Sequence, residues 1–300
     1  IYHREILYLV LLLVLVWILL HLIVKALVNF AKGAYEPAEK AVDIHVNGVH
    51  YAVSYWTVQG GRPYQEDRHT ERQGKGLPDS CLYGVFDGHG GHNAAEYCRS
   101  NMIDNILSDE KFETDVPGAL YRAFLKTDAD FVEYGKRRGV VDGTTAVVVS
   151  IHDNKIHVAN AGDSRAILIQ RGGKVKSLSF DHKPSREDEG KRIRDLGGRV
   201  IFWGRWRVEG VLAVSRGIGD VRLKPYVTSE PEITVKTIEE NDLYVVVASD
   251  GLWDVMQNDE VGRVVTSCKN FLTVAQALCD EATLLGSTDN ITVQVINLKM

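Results

Sequence analysis

Residues 144–170 read TTAVVVSIHDNKIHVANAGDSRAILIQ, and this stretch decides the fold. It contains three apolar runs that are too short for ordinary helices and are bounded by turns, which is the pattern of consecutive β-strands. Runs of the same kind are YAVSYWTV at 51–58, LYGVFD at 82–87, LYVVVASD at 243–250 and ITVQVINL at 291–298. The sequence therefore predicts many short strands joined by hairpins.

Blocks with the apolar spacing of helices lie between these strands. They cover residues 92–107, 117–134, 185–196, 258–268 and 273–285. Ser185 is the predicted N-cap of the third block, with an acid three positions later where a capping box needs one. Helices inserted in blocks among hairpin-linked strands predict an α+β layered domain with mostly antiparallel sheets.

The composition is that of an ordinary globular protein, with 45% hydrophobic and 25% charged residues among 300. A formal net charge of -5 shows no basic excess, so we expect no nucleic acid as partner. The cysteines are scattered and form no Cys-x-x-Cys pair, which argues against a zinc site or a disulfide framework and favours a reducing compartment. They are Cys81, Cys98, Cys268 and Cys279.

The first 30 residues are expected to form a membrane anchor. Residues 6–28 read ILYLVLLLVLVWILLHLIVKALV, long enough as a helix to cross a hydrocarbon core of about 30 Å. The alternatives are a cleaved signal peptide, for which no clear cleavage site exists, and a buried helix, which is seldom apolar on every face. Residues 31–50 then form a juxtamembrane linker ahead of a globular domain at 51–300. Because the chain begins with Ile1, we expect the true N-terminus to be missing.

Carboxylates stand beside the ends of several predicted strands. A single aspartate after a strand is often only a turn former or helix cap. Repeated placement in strand-end turns instead suggests a shared site, because such loops gather functional groups on a rigid scaffold. The residues are Glu66, Asp67, Asp87, Asp163, Asp250 and Asp289.

Carboxylates brought together repel one another unless a cation neutralises them. An oxygen-only donor set points to Mg²⁺ or Mn²⁺. Asp87 is the candidate bridge between two ions, because the glycines that follow let its backbone approach a metal, and such a binuclear centre suits the attack of water on a phosphate ester. His89 is a candidate general acid and Arg62 a candidate phosphate ligand. The alternatives are a surface histidine and a solvated charge.

Nine runs identify a resemblance that covers the chain from about residue 51 to its end. In order they are RPYQED, VFDGHGG, DGTTA, NAGDSRA, DHKP, LAVSRGIGD, SEPE, ASDGLWD and STDNITV. Together they resemble the metal-dependent type 2C serine/threonine protein phosphatase family. The apolar N-terminal stretch further resembles the membrane-anchored "protein phosphatase 1-like" branch of that family.

The resemblance implies a role for each matching residue. One metal would be held by Asp87, Asp250 and Asp289. A second would be held by Glu66, Asp87 and the carbonyl oxygen of Gly88, and a third, weaker one by Asp163, Asp250 and Asp254. Arg62 matches the phosphate-binding arginine, His89 the general acid, and Asp67 an acid that supports the ligands from behind.

The resemblance also implies the architecture and the reaction. The expected fold is a β-sandwich of two antiparallel sheets flanked by helices, in four layers αββα, preceded by one transmembrane helix. The expected activity is Mg²⁺- or Mn²⁺-dependent hydrolysis of phosphoserine and phosphothreonine in proteins by metal-activated water. Residues 181–210, with Trp203 and Trp206, match a variable flap beside the cleft, although packing alone would also account for two tryptophans.

Competing enzyme classes lack their motifs. No cysteine has an arginine six positions later, which a cysteine-based phosphatase needs, and neither a phosphate-binding loop nor the signature of a kinase is present. The remaining alternative is an inactive membrane scaffold of the same fold that binds phosphoproteins. It predicts the loss of a metal carboxylate, and all are present.

The orientation in the membrane follows from charge. Lys25 and Lys32 lie at or after the C-terminal end of the apolar stretch, against Arg4 before it. This excess on the domain side predicts a cytosolic domain on a single-pass anchor that contacts membrane lipid. The resemblance to the anchored branch suggests the endoplasmic reticulum.

Overall fold

The computed structural model describes residues 42–46, 49–73 and 80–299. The strands are β1 (Val42–Val46), β2 (Val49–Val58), β3 (Arg68–Gln73), β4 (Ser80–Phe86), β5 (Gly88–His89), β6 (Gly143–Thr144), β7 (Ala146–His152), β8 (Lys155–Ala161), β9 (Arg165–Gln170), β10 (Val175–Ser177), β11 (Val200–Trp203), β12 (Arg205–Val208), β13 (Ile218–Gly219), β14 (Glu232–Thr237), β15 (Asp242–Ala248) and β16 (Ile291–Asn297). The helices are α1 (Asn93–Leu107), α2 (Val116–Arg138), α3 (Glu187–Asp195), α4 (Asp250–Trp253), α5 (Asn258–Ser267) and α6 (Val274–Leu284).

Two antiparallel sheets carry the architecture. One has six strands in the order β1-β2-β16-β15-β9-β10, and the other has five in the order β14-β8-β7-β4-β3. The stretch that opens the sequence analysis supplies β7, β8 and β9, and the chain crosses from one sheet to the other between β8 and β9. All the pairings within the two sheets are antiparallel, as the short runs and hairpin turns predict.

The sheets pack face to face because their side chains alternate. Tyr83 of β4 and Leu168 of β9 share one buried cluster between the sheets. Their chain neighbours point outward: Leu82 packs with Phe124 of α2, and Ile167 packs in a third cluster with α5 and α6. This two-residue period gives strands such as β4, β7, β8 and β9 two buried faces and places helices on both outer sides. The four layers αββα are therefore confirmed.

The sequence predicted the strands of the two sheets more accurately than it predicted where the helices begin. The structure starts α3 at Glu187 with Arg186 at the N-cap and no side-chain cap, so the predicted N-cap at Ser185 is wrong. The acids Glu187, Asp188 and Glu189 occupy the first turn, where negative charge interacts favourably with the helix N-terminus. A side-chain cap from Ser185 is therefore not needed to stabilise this end.

The predicted anchor at 6–28 lies outside the described residues. Within residues 42–46, 49–73 and 80–299, no helix is both long enough and apolar enough to span a bilayer. The six-stranded sheet already begins at Val42, because β1 lies within the predicted linker at 31–50 and pairs with residues 49–53 of β2.

One buried histidine makes stability depend on pH. His157 on β8 is 5% exposed, and its Nδ1 has no hydrogen-bond partner among the described residues. Burial, followed by the charges of the neighbouring His152 and Lys155, lowers its pKa from 6.5 to about 4. Between these two values the unfolded chain binds a proton here and the folded protein does not, so the free energy of unfolding falls as the pH drops.

We expect His157→Gln to remove this contribution. When the pH is lowered from 7 to 5, the parent should lose about 1–2 kcal/mol more of its unfolding free energy than the variant does. Urea unfolding at the two pH values measures the difference, and any constant effect of the substitution cancels. A variant that loses as much stability as the parent over this interval would contradict the assignment.

Candidate active site

The predicted carboxylates lie at one end of the sandwich. Asp87 follows β4, Asp163 follows β8 and Asp250 follows β15, while Asp289 precedes β16 and Asp67 precedes β3. In antiparallel sheets the end of one strand lies beside the start of its neighbour, so residues after some strands and before others meet. The register shows this directly, since Ala248 near the end of β15 pairs with Val293 near the start of β16.

The carboxylates are close enough to raise one another's pKa. Burial is the largest cause and raises the pKa of Asp87 well above its usual value, followed by the charges of Asp67, Asp250, Asp163 and Asp289. Asp250 behaves in the same way: burial raises its pKa well above the usual value, and Asp163, Asp254 and Asp289 contribute next. A cluster of this kind attracts cations strongly when it is ionised.

Asp67 is buried beside the cluster and affects the pKa of Asp87. It is 3% exposed, and its Oδ2 accepts a hydrogen bond of 2.8 Å from the hydroxyl of Ser249. Its other oxygen, Oδ1, is buried without a hydrogen-bond partner among the described residues. Burial raises the pKa of Asp67 to about 6, against the lowering effect of its hydrogen bonds.

Three cationic side chains contact the rim of the cluster. The guanidinium of Arg62 lies 2.5 Å from Asp289, and that of Arg205 lies 2.7 Å from Asp254. The ammonium of Lys183 lies 3.1 Å from Asp163 and 3.6 Å from Asp254.

These ion pairs engage three of the carboxylates that are predicted to bind metal ions, Asp289, Asp163 and Asp254. Within the described part of the chain, no three Asp, Glu, His or Cys side chains converge in a way that could hold a metal ion as they are placed. The chemistry of the donors nevertheless fits divalent cations, because their side chains are all carboxylates, the pKa values of Asp87 and Asp250 are raised by burial and by neighbouring acids, and one oxygen of Asp67 lacks a partner among the described residues. In the predicted first site, Asp250 and Asp289 lie near enough to raise the pKa of Asp87, while Asp254 of the predicted third site is paired with Arg205 and Lys183.

Glu66 and Gly88 are brought together by their backbones. A Cβ at Gly88 would lie 2.7 Å from the carbonyl oxygen of Glu66, so only glycine allows this approach. The amide of Glu66 donates to the side chain of Asn290 at 2.8 Å, and Asn290 in turn donates to the carbonyls of Gln59 and Tyr64. Asn290 therefore fixes the loop that carries Arg62 and Glu66 next to Asp289.

His89 faces a partner that the sequence analysis missed. Its Nε2 lies 2.9 and 3.0 Å from the two carboxylate oxygens of Asp220. Burial lowers the pKa of His89, but the charge and hydrogen bond of Asp220, followed by Asp163 and Asp142, outweigh it and raise the pKa above 6.5. A raised pKa favours the protonated imidazole, which is the form that a general acid requires.

The predicted flap contains α3 and the hairpin of β11 and β12. Trp203 is 78% exposed and Trp206 is 47% exposed, so packing alone does not account for Trp203. Arg205 is the first residue of β12 in the same hairpin and contacts Asp254, which connects the flap to the carboxylate cluster.

Sequence reasoning missed Lys183, Arg205, Asp220 and Asn290. Lys183, Asp220 and Asn290 lie inside the quoted runs DHKP, LAVSRGIGD and STDNITV, so the motifs marked their neighbourhood without giving a role. Arg205 lies in no such run. Their partners are distant in sequence, and only the fold shows the contacts.

Comparison with known proteins decides the family. The family model described as protein phosphatase 2C matches residues 51–291. The chain belongs to the protein phosphatase 2C family. This confirms the family that the motifs resemble, and with it the assignment as a protein serine/threonine phosphatase.

Curated relatives agree with this membership. The chain is 43% identical over 246 residues to "Probable protein phosphatase 2C member 13, mitochondrial" of Oryza sativa subsp. japonica, covering 81% of this chain and 67% of that protein. It is 40% identical over 261 residues to "Probable protein phosphatase 2C 11" of Arabidopsis thaliana, covering 85% of this chain and 68% of that protein. The chain thus spans about two thirds of the length of these relatives.

A solved structure has the same fold. The chain matches the crystal structure of a serine-threonine phosphatase 2C from Toxoplasma gondii with a TM-score of 0.76 at 22% identity. The match covers 87% of this chain and 99% of that one. It supports the sandwich architecture independently of close sequence similarity.

Proposed function

We propose that the chain hydrolyses phosphoserine and phosphothreonine in proteins with the help of divalent cations bound at the carboxylate cluster. The observation that carries this proposal is the cluster of carboxylates around Asp87, whose charges raise the pKa of Asp87, with the guanidinium of Arg62 at its rim. Such a cluster has a clear use only when a multivalent cation neutralises it. Family membership supplies the reaction class.

The proposed ligands follow the strand ends. Asp87, Asp250 and Asp289 would hold one ion, and Glu66, Asp87 and the carbonyl of Gly88 a second. When bound, two Mg²⁺ or Mn²⁺ ions supply Lewis-acid stabilisation of the phosphate and a nucleophilic water at neutral pH. Arg62 is 55% exposed in its side chain, so its planar fork can bind phosphate oxygens from solvent. His89 donates the proton that the departing serine or threonine oxygen needs.

The test is hydrolysis of a phosphothreonine peptide by the full chain. We expect release of phosphate in Mn²⁺ or Mg²⁺, its abolition by excess chelator, and its recovery when the metal is restored. The competing proposal, an inactive scaffold of the same fold, predicts peptide binding without phosphate release. Full activity in excess chelator would refute the metal-dependent mechanism.

A third, weaker metal site is proposed at Asp163, Asp250 and Asp254. The ammonium of Lys183 lies between Asp163 and Asp254, so it competes with a metal cation for the carboxylate oxygens of these two residues. We expect Asp254→Ala to weaken the lowest-affinity Mn²⁺ site and Lys183→Met to strengthen it, with the tighter sites still occupied in both. Calorimetric titration of the metal-free variants measures this. Identical affinities in both variants and the parent would exclude the site.

We further propose that residues 6–28 anchor the protein in a membrane, the endoplasmic reticulum being the candidate, with residues 51–300 in the cytosol. The length of the apolar stretch and the lysines at its C-terminal end support this proposal. We expect the protein to stay with membranes in alkaline carbonate and the domain to be digested by protease outside intact microsomes. Release by carbonate would refute the span, and protection until detergent is added would refute the orientation.

A further inference from the structure

We infer that Asp220 is a positioning residue for His89. We further infer that residue 143 is a glycine because the contact between Asp220 and His89 passes over it. Asp220 holds the imidazole by Nε2, so that Nδ1 is the nitrogen that delivers a proton to the leaving group. This inference rests on the proposed function and assigns a new residue to the same site.

The contact is built by a small three-stranded sheet. β6 is its central strand, with β5 on one side and β13 on the other. His89 pairs with Gly143 from one side, and Gly219 pairs with Gly143 from the other. Asp220 directly follows β13, so its carboxylate reaches across the central strand to the imidazole.

Gly143 leaves the space for this carboxylate. A Cβ at Gly143 would lie 2.2 Å from Oδ2, 2.4 Å from Cγ and 2.6 Å from Oδ1 of Asp220. All three distances are far below van der Waals contact, and the carboxylate is 7% exposed and enclosed. Any side chain at position 143 therefore displaces the group that contacts His89.

Asp220 is held in place at a conformational cost. Its φ of 50° and ψ of 40° lie in the left-handed region, which non-glycine residues adopt rarely and which is often found at functional sites. The surrounding loop fixes this geometry from the other side. Asp128 accepts a hydrogen bond of 2.7 Å from the amide of Gly219 and lies 2.8 Å from the ammonium of Lys224.

The chemistry of imidazole then assigns the two ring nitrogens. An ionised carboxylate only accepts hydrogen bonds, so Nε2 of His89 must carry a hydrogen toward Asp220. The transferable proton of the imidazolium is then the one on Nδ1. In the reaction, water oxygen bonds to phosphorus while the phosphorus–oxygen bond to serine or threonine breaks. The departing oxygen keeps the electron pair and takes the Nδ1 proton, and the proton lost by water passes to solvent.

The kinetic test compares two leaving groups in the full chain. A general acid matters for a serine or threonine oxygen, which is a poor leaving group, and little for p-nitrophenolate. We expect Asp220→Asn to lower kcat on a phosphothreonine peptide by about 10- to 100-fold, but on p-nitrophenyl phosphate by less than about threefold. Gly143→Ala should give the same selective loss without changing any charge. In a His89→Ala background, Asp220→Asn should cause no further loss on the peptide.

Asp242→Asn is the matched control, because it also removes the charge of a buried aspartate, but at the start of β15, where Asp242 contacts Gln170 and Lys236 instead of His89. We expect it to lower thermal stability and to leave the ratio of the two activities unchanged. Equal losses on both substrates in Asp220→Asn, additive losses in the double variant, or the same selectivity in Asp242→Asn would overturn the inference.

A spectroscopic measurement separates this inference from the proposed function. Nitrogen-15 NMR of the metal-free full chain, with the His89 signals assigned through His89→Ala, reports which ring nitrogen carries the hydrogen in the neutral imidazole. We expect the Nε2–H form in the parent and a loss of that preference in Asp220→Asn. The Nδ1–H form in the parent overturns the inference. The Nε2–H form in a parent that hydrolyses neither substrate supports the contact and refutes the proposed function alone.

Discussion

Asp87→Asn lowers kcat on a phosphopeptide by about a thousandfold or more, which corresponds to at least about 4 kcal/mol of transition-state stabilisation. Asp87 is the proposed ligand shared by two ions, so the loss of one negative charge weakens both at once. Amide and carboxylate have nearly the same shape, so the fold should be retained. Phosphate release in saturating Mn²⁺ measures the effect.

The control for this variant is its stability in excess chelator. Burial and the neighbouring acids raise the pKa of Asp87 in the folded protein. Without metal, the folded protein therefore loses stability as the pH rises from about 4, where the carboxyl group ionises in the unfolded chain, to the raised pKa of the folded state. Removing the charge removes this cost. We expect Asp87→Asn to melt at a higher temperature than the parent at pH 7 without metal. A folded variant with parental activity would contradict the bridging role.

The strands and the carboxylates could be predicted because both depend on local sequence. Apolar runs of strand length between turns define β7, β8 and β9, and the acids Asp87 and Asp250 stand next to such runs. Antiparallel pairing then brings strand ends together without any knowledge of the exact register. The α+β class follows from these features alone, and so does the prediction that the acids share one end of the sheets.

The partners of the site residues could not be predicted because they depend on tertiary placement. His89 meets Asp220 only through the pairing of β5, β6 and β13, each two residues long. Strands this short leave no periodic signal. Arg205 reaches Asp254 from a hairpin that belongs to neither large sheet, and no local pattern indicates that contact.

The start of α3 shows a limit of local rules. Ser185 satisfies the pattern of a capping box, yet the helix begins at Glu187. Glu189 in its first turn is 1% exposed and contacts Arg216, Arg192 and the hydroxyl of Ser215. These buried tertiary contacts fix the helix, and they cannot be seen in a window of a few residues.

His89→Ala is expected to lower kcat on a phosphothreonine peptide by about 100- to 1000-fold, within the range of general acid catalysis. The threonine oxygen leaves as a strongly basic alkoxide unless a proton arrives as the bond breaks, and in the proposed mechanism His89 supplies it. An aryl phosphate departs as a weakly basic phenolate and scarcely needs a proton. We therefore expect the loss on p-nitrophenyl phosphate to be far smaller.

His92 provides the matched control. It is an exposed histidine at the N-cap of α1 and makes no side-chain capping hydrogen bond, so His92→Ala should leave both activities at the parental level. The ratio of the two rate losses separates chemistry from structure, because a general disturbance of the site slows both substrates alike. Equal losses on peptide and aryl phosphate in His89→Ala would mean that the histidine serves binding or folding, and the general acid would have to be sought elsewhere in the site.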